Sequence, residues 1–280
     1  MFTEAANRLN IKVITLDAEG CPASQVNAAG NLVVGSFRNA QDIQKLASQV
    51  DVVTIETEHV DTDTLRDLSE NAKVDIQPHW QTIRTISDKF LQKEYLANRG
   101  IPVARSVAVK EGGNAEDVVK AVRFVGGCPV FLEARKGGYD GRGNFALKSE
   151  SEIPEAIKAL SGRNLYVEEW AAFKMELAVM VVKTVDQPDA DWKVGTLAFP
   201  VVETLQEDSI CKLVYLPPRG IDKQALQEVA RKAVAGFGGK GVFGVEMFLL
   251  HSGEILINEI APRPHNSGRN FLLQEVIYRG

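Results

Sequence analysis

The chain has 280 residues, 45% of them hydrophobic, and its 32 lysines and arginines against 37 aspartates and glutamates give a net charge of −5. That is enough apolar material for one or two buried cores, and it excludes the basic footprint expected for binding nucleic acid or an anionic membrane surface. No apolar run approaches membrane-spanning length, and Cys21, Cys128 and Cys211 lack metal-ligand spacing, which suits reduced thiols in the cytoplasm.

The opening M-F-T-E-A-A-N-R-L-N lacks the charged and apolar regions of a signal peptide and reads as the middle of an amphipathic helix. Ile11–Leu16 follows as a strand, so the chain starts on the second half of a βαβ unit. Strands at Leu32–Val34, Val52–Ile55 and Ile76 alternate with helices through Gln41–Ser48 and Asp63–Asn71, the pattern of an open parallel α/β domain over residues 1–85. Ser87 is expected to cap a helix running to Asn98 and stopped by Gly100 and Pro102. A small lobe completes residues 86–170, with strands at Pro129–Glu133, Phe145–Lys148 and Leu165–Glu168. Residues 171–268 form a third unit, with antiparallel strands at Leu177–Lys183, Val194–Val202 and Leu213–Tyr215, a helix at Lys223–Gly236 and a terminal hairpin. Residues 269–280, R-N-F-L-L-Q-E-V-I-Y-R-G, read as a divergent tail.

The hairpin carries the strongest chemical signal. Val242–Leu250 and Ile255–Ile260 flank His-Ser-Gly-Glu, with Gly253 in the turn. Pairing Leu250 with Ile255 and stepping outward sets Glu246 opposite Glu259. Like charges across a ladder repel unless a cation lies between them, and hard carboxylate oxygens suit magnesium, which keeps sites for water and phosphate. Asn258 adds a carbonyl oxygen beside Glu259. The same residues would also serve as two solvated glutamates on an edge hairpin.

A second segment, G-G-Y-D-G-R-G-N at Gly137–Asn144, lies between two strands. Its glycines permit close backbone approach to a ligand and Arg142 supplies charge for an anion. No Gly-Lys-Ser/Thr follows, so it is not a Walker loop; a flap over phosphates and a plain glycine hairpin are the two readings.

G-G-Y-D-G-R-G-N together with I-N-E-I-A-P-R-P-H-N-S-G resembles N5-carboxyaminoimidazole ribonucleotide synthetase, the ATP-grasp, carboxylating part of phosphoribosylaminoimidazole carboxylase in purine synthesis. The fungal-type enzyme, fused to a C-terminal mutase domain, is nearest, and the resemblance runs from about Phe2 to Gly268. It implies an ATP-grasp fold behind a pre-ATP-grasp domain that here lacks its first strand and glycine-rich turn. It implies ATP-dependent carboxylation of 5-aminoimidazole ribonucleotide with bicarbonate through carboxyphosphate, with Mg2+, or Mn2+ in its place, and a homodimer.

The resemblance also assigns residues. Lys89, Glu133 and the flap residues Gly138, Tyr139, Asp140, Gly141, Arg142, Gly143 and Asn144 fall at positions around the ATP phosphates. Glu168, Glu169, Trp170 and Ala171 fall where the connector holds adenine, Glu176 at the ribose, and Gln206 where some relatives place a histidine. Asn258 and Glu259 join the ATP site, with Glu246 and Glu259 as the metal ligands. As catalytic residues, Arg142 would stabilise phosphate charge with the metal, while Tyr139, Asp140, Arg263, His265 and Asn266 would line the carboxyphosphate and aminoimidazole sites, and Glu56 and Glu58, at the carboxyl end of a strand, would lie near the substrate.

One position departs from the family. Glu133, in F-L-E-A-R-K-G-G, stands where relatives carry a lysine, and a carboxylate there repels phosphate, with Arg135 offering partial compensation. Two alternatives to the carboxylase therefore stand beside it: another ATP-grasp carboxylate–amine ligase, and a non-catalytic ATP-binding fragment.

Overall fold

Several helices begin on a short polar side chain that satisfies the first free backbone N–H groups. Asn39, Asp61, Asp88, Asn114 and Asp222 accept from backbone nitrogens two or three residues ahead, and Asn114 with Asp117 completes a reciprocal capping box. The structure, a computed structural model, describes residues 2–265 apart from Ala29, Tyr139–Gly141, Ala190 and Asp208–Ser209.

The first stretch contains α1 (Phe2–Arg8), β1 (Thr15–Asp17), α2 (Pro22–Val26), β2 (Leu32–Val34), α3 (Ala40–Ala47), β3 (Val52–Val53), α4 (Thr62–Asn71), β4 (Asp75–Ile76) and α5 (Trp80–Ile86). β1 pairs with β2 and β3 with β4, both parallel. Ile43, Val53, Ile55, Leu65, Ile76 and Ile83 form the core between these strands and helices. The linking helix α6 (Lys89–Ala97) leads to β5 (Ser106–Ala108), α7 (Ala115–Val125), β6 (Val130–Ala134), β7 (Asn144–Leu147), α8 (Ile153–Ala159) and β8 (Leu165–Glu169). These strands make an antiparallel sheet in the order β5-β8-β6-β7, and Val130 and Leu132 alternate inward to meet Val118 and Val122 of α7.

The last stretch is β9 (Phe173–Lys183), α9 (Trp192–Gly195), β10 (Thr196–Ala198), β11 (Val202–Glu207), β12 (Ile210–Tyr215), α10 (Lys223–Ala235), β13 (Gly241–Leu250) and β14 (Ile255–Ala261). They form a six-stranded antiparallel sheet in the order β12-β11-β9-β13-β14, with β10 on the far part of β9. Val179, Val181, Phe243, Val245 and Ile257 face Leu226, Ala230 and Val234 of α10, and Leu96 of α6 joins the same core. α6 thus touches both antiparallel sheets, through β5 and β14. No helix among the described residues is long and apolar enough to cross a membrane.

Three local expectations are corrected. Ser87 ends α5, its hydroxyl donating to the Arg84 carbonyl, and Asp88 is the residue that caps α6. Residues 194–202 are not one strand: Asp191 caps the short helix α9, and only Thr196–Ala198 and then Val202 onward are extended. The hairpin tip pairs Leu249, not Leu250, with Ile255.

Candidate functional site

The hairpin still brings Glu246 opposite Glu259, because the ladder slips once between Met247↔Ile257 and Glu246↔Glu259. The slip is a bulge at Asn258, which has no partner of its own and whose carbonyl turns to accept from Lys93 Nζ at 3.0 Å. Burial pushes the Glu246 carboxyl up, against the pull of His265, whose Nδ1 lies 3.2 Å from Glu246 Oε1. Burial acts the same way on Glu259, but the charge and hydrogen bond of Lys89, with its Nζ 3.1 Å from Glu259 Oε2, together with the charges of His265 and Lys93, outweigh it and hold that carboxyl low.

Gln92 and Lys93 each stand one helical turn from Lys89 on α6, and all three line the same cleft with Glu133, Tyr166, Asn258 and Glu259. Lys89 reaches Glu259 and, at 3.7 Å, Glu133; the Glu259 charge first and Glu133 after it raise its pKa against the cost of burial. The buried Lys93 donates to Glu168 Oε1 at 3.0 Å. Burial raises the Glu168 carboxyl and Lys93 opposes the rise. Gln92, also buried, donates to the Ile260 carbonyl and accepts from the Ile260 N–H, both at 2.8 Å. Its amide acts as one more rung on β14 next to Glu259. Sequence reading found Lys89 and missed Gln92 and Lys93, although the i, i+3, i+4 spacing from Lys89 marks them.

A second cleft adjoins the first through Asn258, and is lined by Glu176, Thr204, Gln206, Glu246, Met247 and Phe248. Glu176 sits on β9 opposite Phe248 and Thr204. Burial, and then the Glu246 charge, push its carboxyl up to about 7, against a hydrogen bond from Gln206. Glu176 Oε2 is buried without a hydrogen-bond partner.

The small-lobe sheet covers the first cleft from the other side. Glu133 on β6 lies across from Asn144 on β7 and Tyr166 on β8. Arg135 does not compensate it: this guanidinium is committed to Asp88, 2.9 Å from Oδ2, and its carbonyl accepts from the Lys89 N–H. The flap leaves β6 through Gly138, and Gly143 takes a φ of +100° where Arg163 Nη1 and the Gly138 backbone leave no room for a side chain. Arg142 is exposed at the return of this flap; Tyr139, Asp140 and Gly141 lie outside the described residues, as does Asn266.

Glu168 and Glu169 belong to β8, so the connector proper starts at Trp170 and Ala171. Glu169 forms a two-pronged pair with Arg105, and Trp170 stacks on Phe131 with centroids 4.7 Å apart. Glu56 is exposed on the segment after β3. Glu58, two residues on, receives Arg263 Nε at 2.7 Å and Nη2 at 3.2 Å. Gly244 permits this approach: a Cβ there would overlap the His265 side chain, and its N–H donates to the Arg263 carbonyl. The arrangement therefore gathers Lys89, Glu133, Asn258, Glu259, Glu246, Glu176, Gln206 and His265 around two adjoining clefts, with the Arg263–Glu58 pair on the flank.

Residues 1–87 match the ribonucleotide synthetase preATP-grasp domain and residues 94–276 the ATP-grasp domain. The chain is 48% identical over 271 residues to phosphoribosylaminoimidazole carboxylase of Saccharomyces cerevisiae, an alignment covering 96% of this chain and 46% of that protein. It thus spans about half the length of the curated relatives it matches. Carboxyaminoimidazole ribonucleotide synthase from Aspergillus clavatus, complexed with ATP, is similar with a TM-score of 0.88 and 50% identity, over 95% of this chain and 68% of that one. The same organism's N5-carboxyaminoimidazole synthase, in complex with ADP and 5-aminoimidazole ribonucleotide, gives 0.87 and 49%, over 96% and 68%. With an ATP-grasp fold behind a pre-ATP-grasp domain, the chain belongs to the N5-carboxyaminoimidazole ribonucleotide synthase family.

Proposed function

We propose that the chain catalyses the ATP-dependent carboxylation of 5-aminoimidazole ribonucleotide with bicarbonate, a step of purine synthesis in the cytoplasm. The observation that carries this is the facing pair Glu246 and Glu259, flanked by Lys89 and by the Glu176–Gln206 cleft, in a chain whose relatives were solved with ATP and with ADP plus 5-aminoimidazole ribonucleotide.

ATP lies between the two antiparallel sheets, its adenine along Glu168–Ala171 and its ribose at Glu176, whose buried Oε2 awaits a hydroxyl donor. Arg142 meets the phosphates from the small-lobe side, and Lys89 approaches them from α6. Glu246 and Glu259 would hold Mg2+. The fit rests on two half-buried carboxylates facing each other across the hairpin, hard oxygen donors whose mutual repulsion a cation would relieve. Among the described residues no larger group of His, Cys, Asp and Glu is arranged to hold a metal, so most positions on the ion would be left to water and phosphate oxygens. When bound, the ion neutralises phosphate charge and polarises the transferred group.

Bicarbonate oxygen attacks the γ-phosphorus of ATP to give carboxyphosphate and ADP. The substrate amine then takes the carboxyl carbon, directly or after release of carbon dioxide, and inorganic phosphate leaves. No covalent bond to the protein forms, so the chain's part is orientation and charge compensation. Glu58 holds Arg263 at the flank, where Arg263 and His265 meet the anionic reactants.

The test is ADP release by the purified chain with Mg2+, ATP, bicarbonate and 5-aminoimidazole ribonucleotide, with carbon-13 bicarbonate followed into product by NMR. Release that needs both co-substrates, and label in the product, support the reading. Release driven equally by other carboxylate–amine pairs points to a different ligase. ATP binding without release favours the second reading, a nucleotide-binding chain without turnover, which the carboxylate of Glu133 in the cleft supports.

A further inference from the structure

The first cleft is poor in usable positive charge. Glu133 and Glu259 both approach the ammonium of Lys89, at 3.7 and 3.1 Å, and Lys93 is engaged by Glu168 and the Asn258 carbonyl. Glu133 is itself well covered, with 13% of its side chain exposed, and it faces Tyr166, whose hydroxyl is pushed up by burial and then by the Glu133 charge. Within this group three carboxylates meet two ammonium groups. A carboxylate in that setting acts on an incoming ligand in proportion to the negative charge the ligand brings near it, because screening by water is weak where both groups are partly buried. Removing the charge of Glu133 would leave Lys89 shared with one carboxylate instead of two.

We infer that Glu133 is a specificity-determining residue of the nucleotide site, lowering the preference for nucleoside triphosphates over di- and monophosphates by holding Lys89 between two carboxylates. The inference rests on the nucleotide reading of the cleft and goes beyond it by setting the order among adenine nucleotides. Adenine and ribose contacts are common to ATP, ADP and AMP, so a residue acting only through the phosphates must separate the three in order of charge. A residue that merely shapes the fold would move them together.

The experiment titrates ATP, ADP and AMP calorimetrically against the 280-residue chain, Glu133→Gln and Glu133→Asp, at fixed free Mg2+ and at two salt concentrations. Glutamine keeps the size and hydrogen-bonding capacity of the side chain and removes its charge; aspartate keeps the charge. Glu133→Gln is expected to tighten ATP about three- to tenfold, ADP less, and AMP by less than about twofold, with the gain shrinking at higher salt. Glu133→Asp should keep the wild-type order. Equal changes for all three nucleotides, or weaker ATP binding by the glutamine form, overturn the inference and leave the nucleotide site standing. Failure of the folded wild-type chain to bind any of the three overturns both.

Discussion

Arg263 donates two hydrogen bonds to the carboxylate of Glu58, at 2.7 and 3.2 Å, across 205 residues of sequence. The pair ties the segment after β14 to the parallel α/β part of the chain. Burial lowers the Arg263 pKa, and the Glu58 hydrogen bond and charge, with the charges of Glu259 and Glu246, more than restore it. A double-mutant cycle with Glu58→Gln and Arg263→Lys, measured by urea unfolding, should show a coupling of about 1–3 kcal/mol, as expected of a two-pronged, partly buried ion pair. Additive effects of the two substitutions would mean the contact carries no such tie.

The facing carboxylates trade stability for binding. Glu246→Gln removes the repulsion from Glu259 and relieves the burial that raises the Glu246 carboxyl. Without metal, this variant should unfold at higher denaturant, gaining up to about 1 kcal/mol. It should also lose at least about tenfold in Mg2+-dependent ATP affinity, with Mg2+-free affinity little changed. A variant that is less stable and binds Mg2+–ATP normally would contradict both halves.

Lys93 and Glu168 are each largely buried, at 4% exposure. Lys93→Met takes from the Glu168 carboxylate its hydrogen-bonded counter-charge, leaving it near Glu133 with only the weaker pull of Lys89, and should cost about 3–5 kcal/mol. Adding Glu168→Gln should recover most of that loss, because no buried charge is then left alone. Chemical denaturation of the two variants decides the matter, and no recovery in the double variant would show that packing, not charge, was lost.

Glu176 should leave a mark on the pH dependence of stability. Its folded pKa of about 7 lies above the ordinary glutamate value of 4.5, so between those limits the folded chain holds a proton that the unfolded chain has released. Stability linked to this group is therefore complete below pH 4.5 and is lost as pH rises through 7. With solvent screening allowed for, the loss is of order 1–2 kcal/mol. In chelator-treated protein, Glu176→Gln should flatten this part of the melting-temperature profile. An unchanged slope from pH 4.5 to 7 would show that Glu176 does not carry it.

Much of this arrangement was legible because it is local. The glycine segment, the helices behind Asp61 and Asp222, and the facing of Glu246 and Glu259 follow from residue type and alternation. The facing was reached through two errors that cancel: the tip register was one residue off, and the Asn258 bulge restored it. The bulge had its own sign, since the fully buried Ile257 and Ile260 are spaced by three where a regular strand spaces them by two. Ser87 and Asp88 are both good capping residues, and only the partners of their side chains, Arg84 and Leu91, separate them. Gln92 on Ile260, Lys93 on Glu168 and Arg263 on Glu58 are contacts between distant segments, invisible to any local pattern. Arg135 was misjudged for the same reason: its partner, Asp88, lies 47 residues away.

Gly244 shows how little bulk the site can absorb. It lies on β13 two residues before Glu246, and the chain that carries Arg263 and His265 crosses directly over it. A single methyl group at this point would lift the crossing segment off the strand. That displacement would pull His265 from Glu246 and Arg263 from Glu58 at once, although alanine brings no charge and removes no hydrogen-bonding group. The smallest residue in the neighbourhood is thus the one on which two of its polar contacts jointly depend.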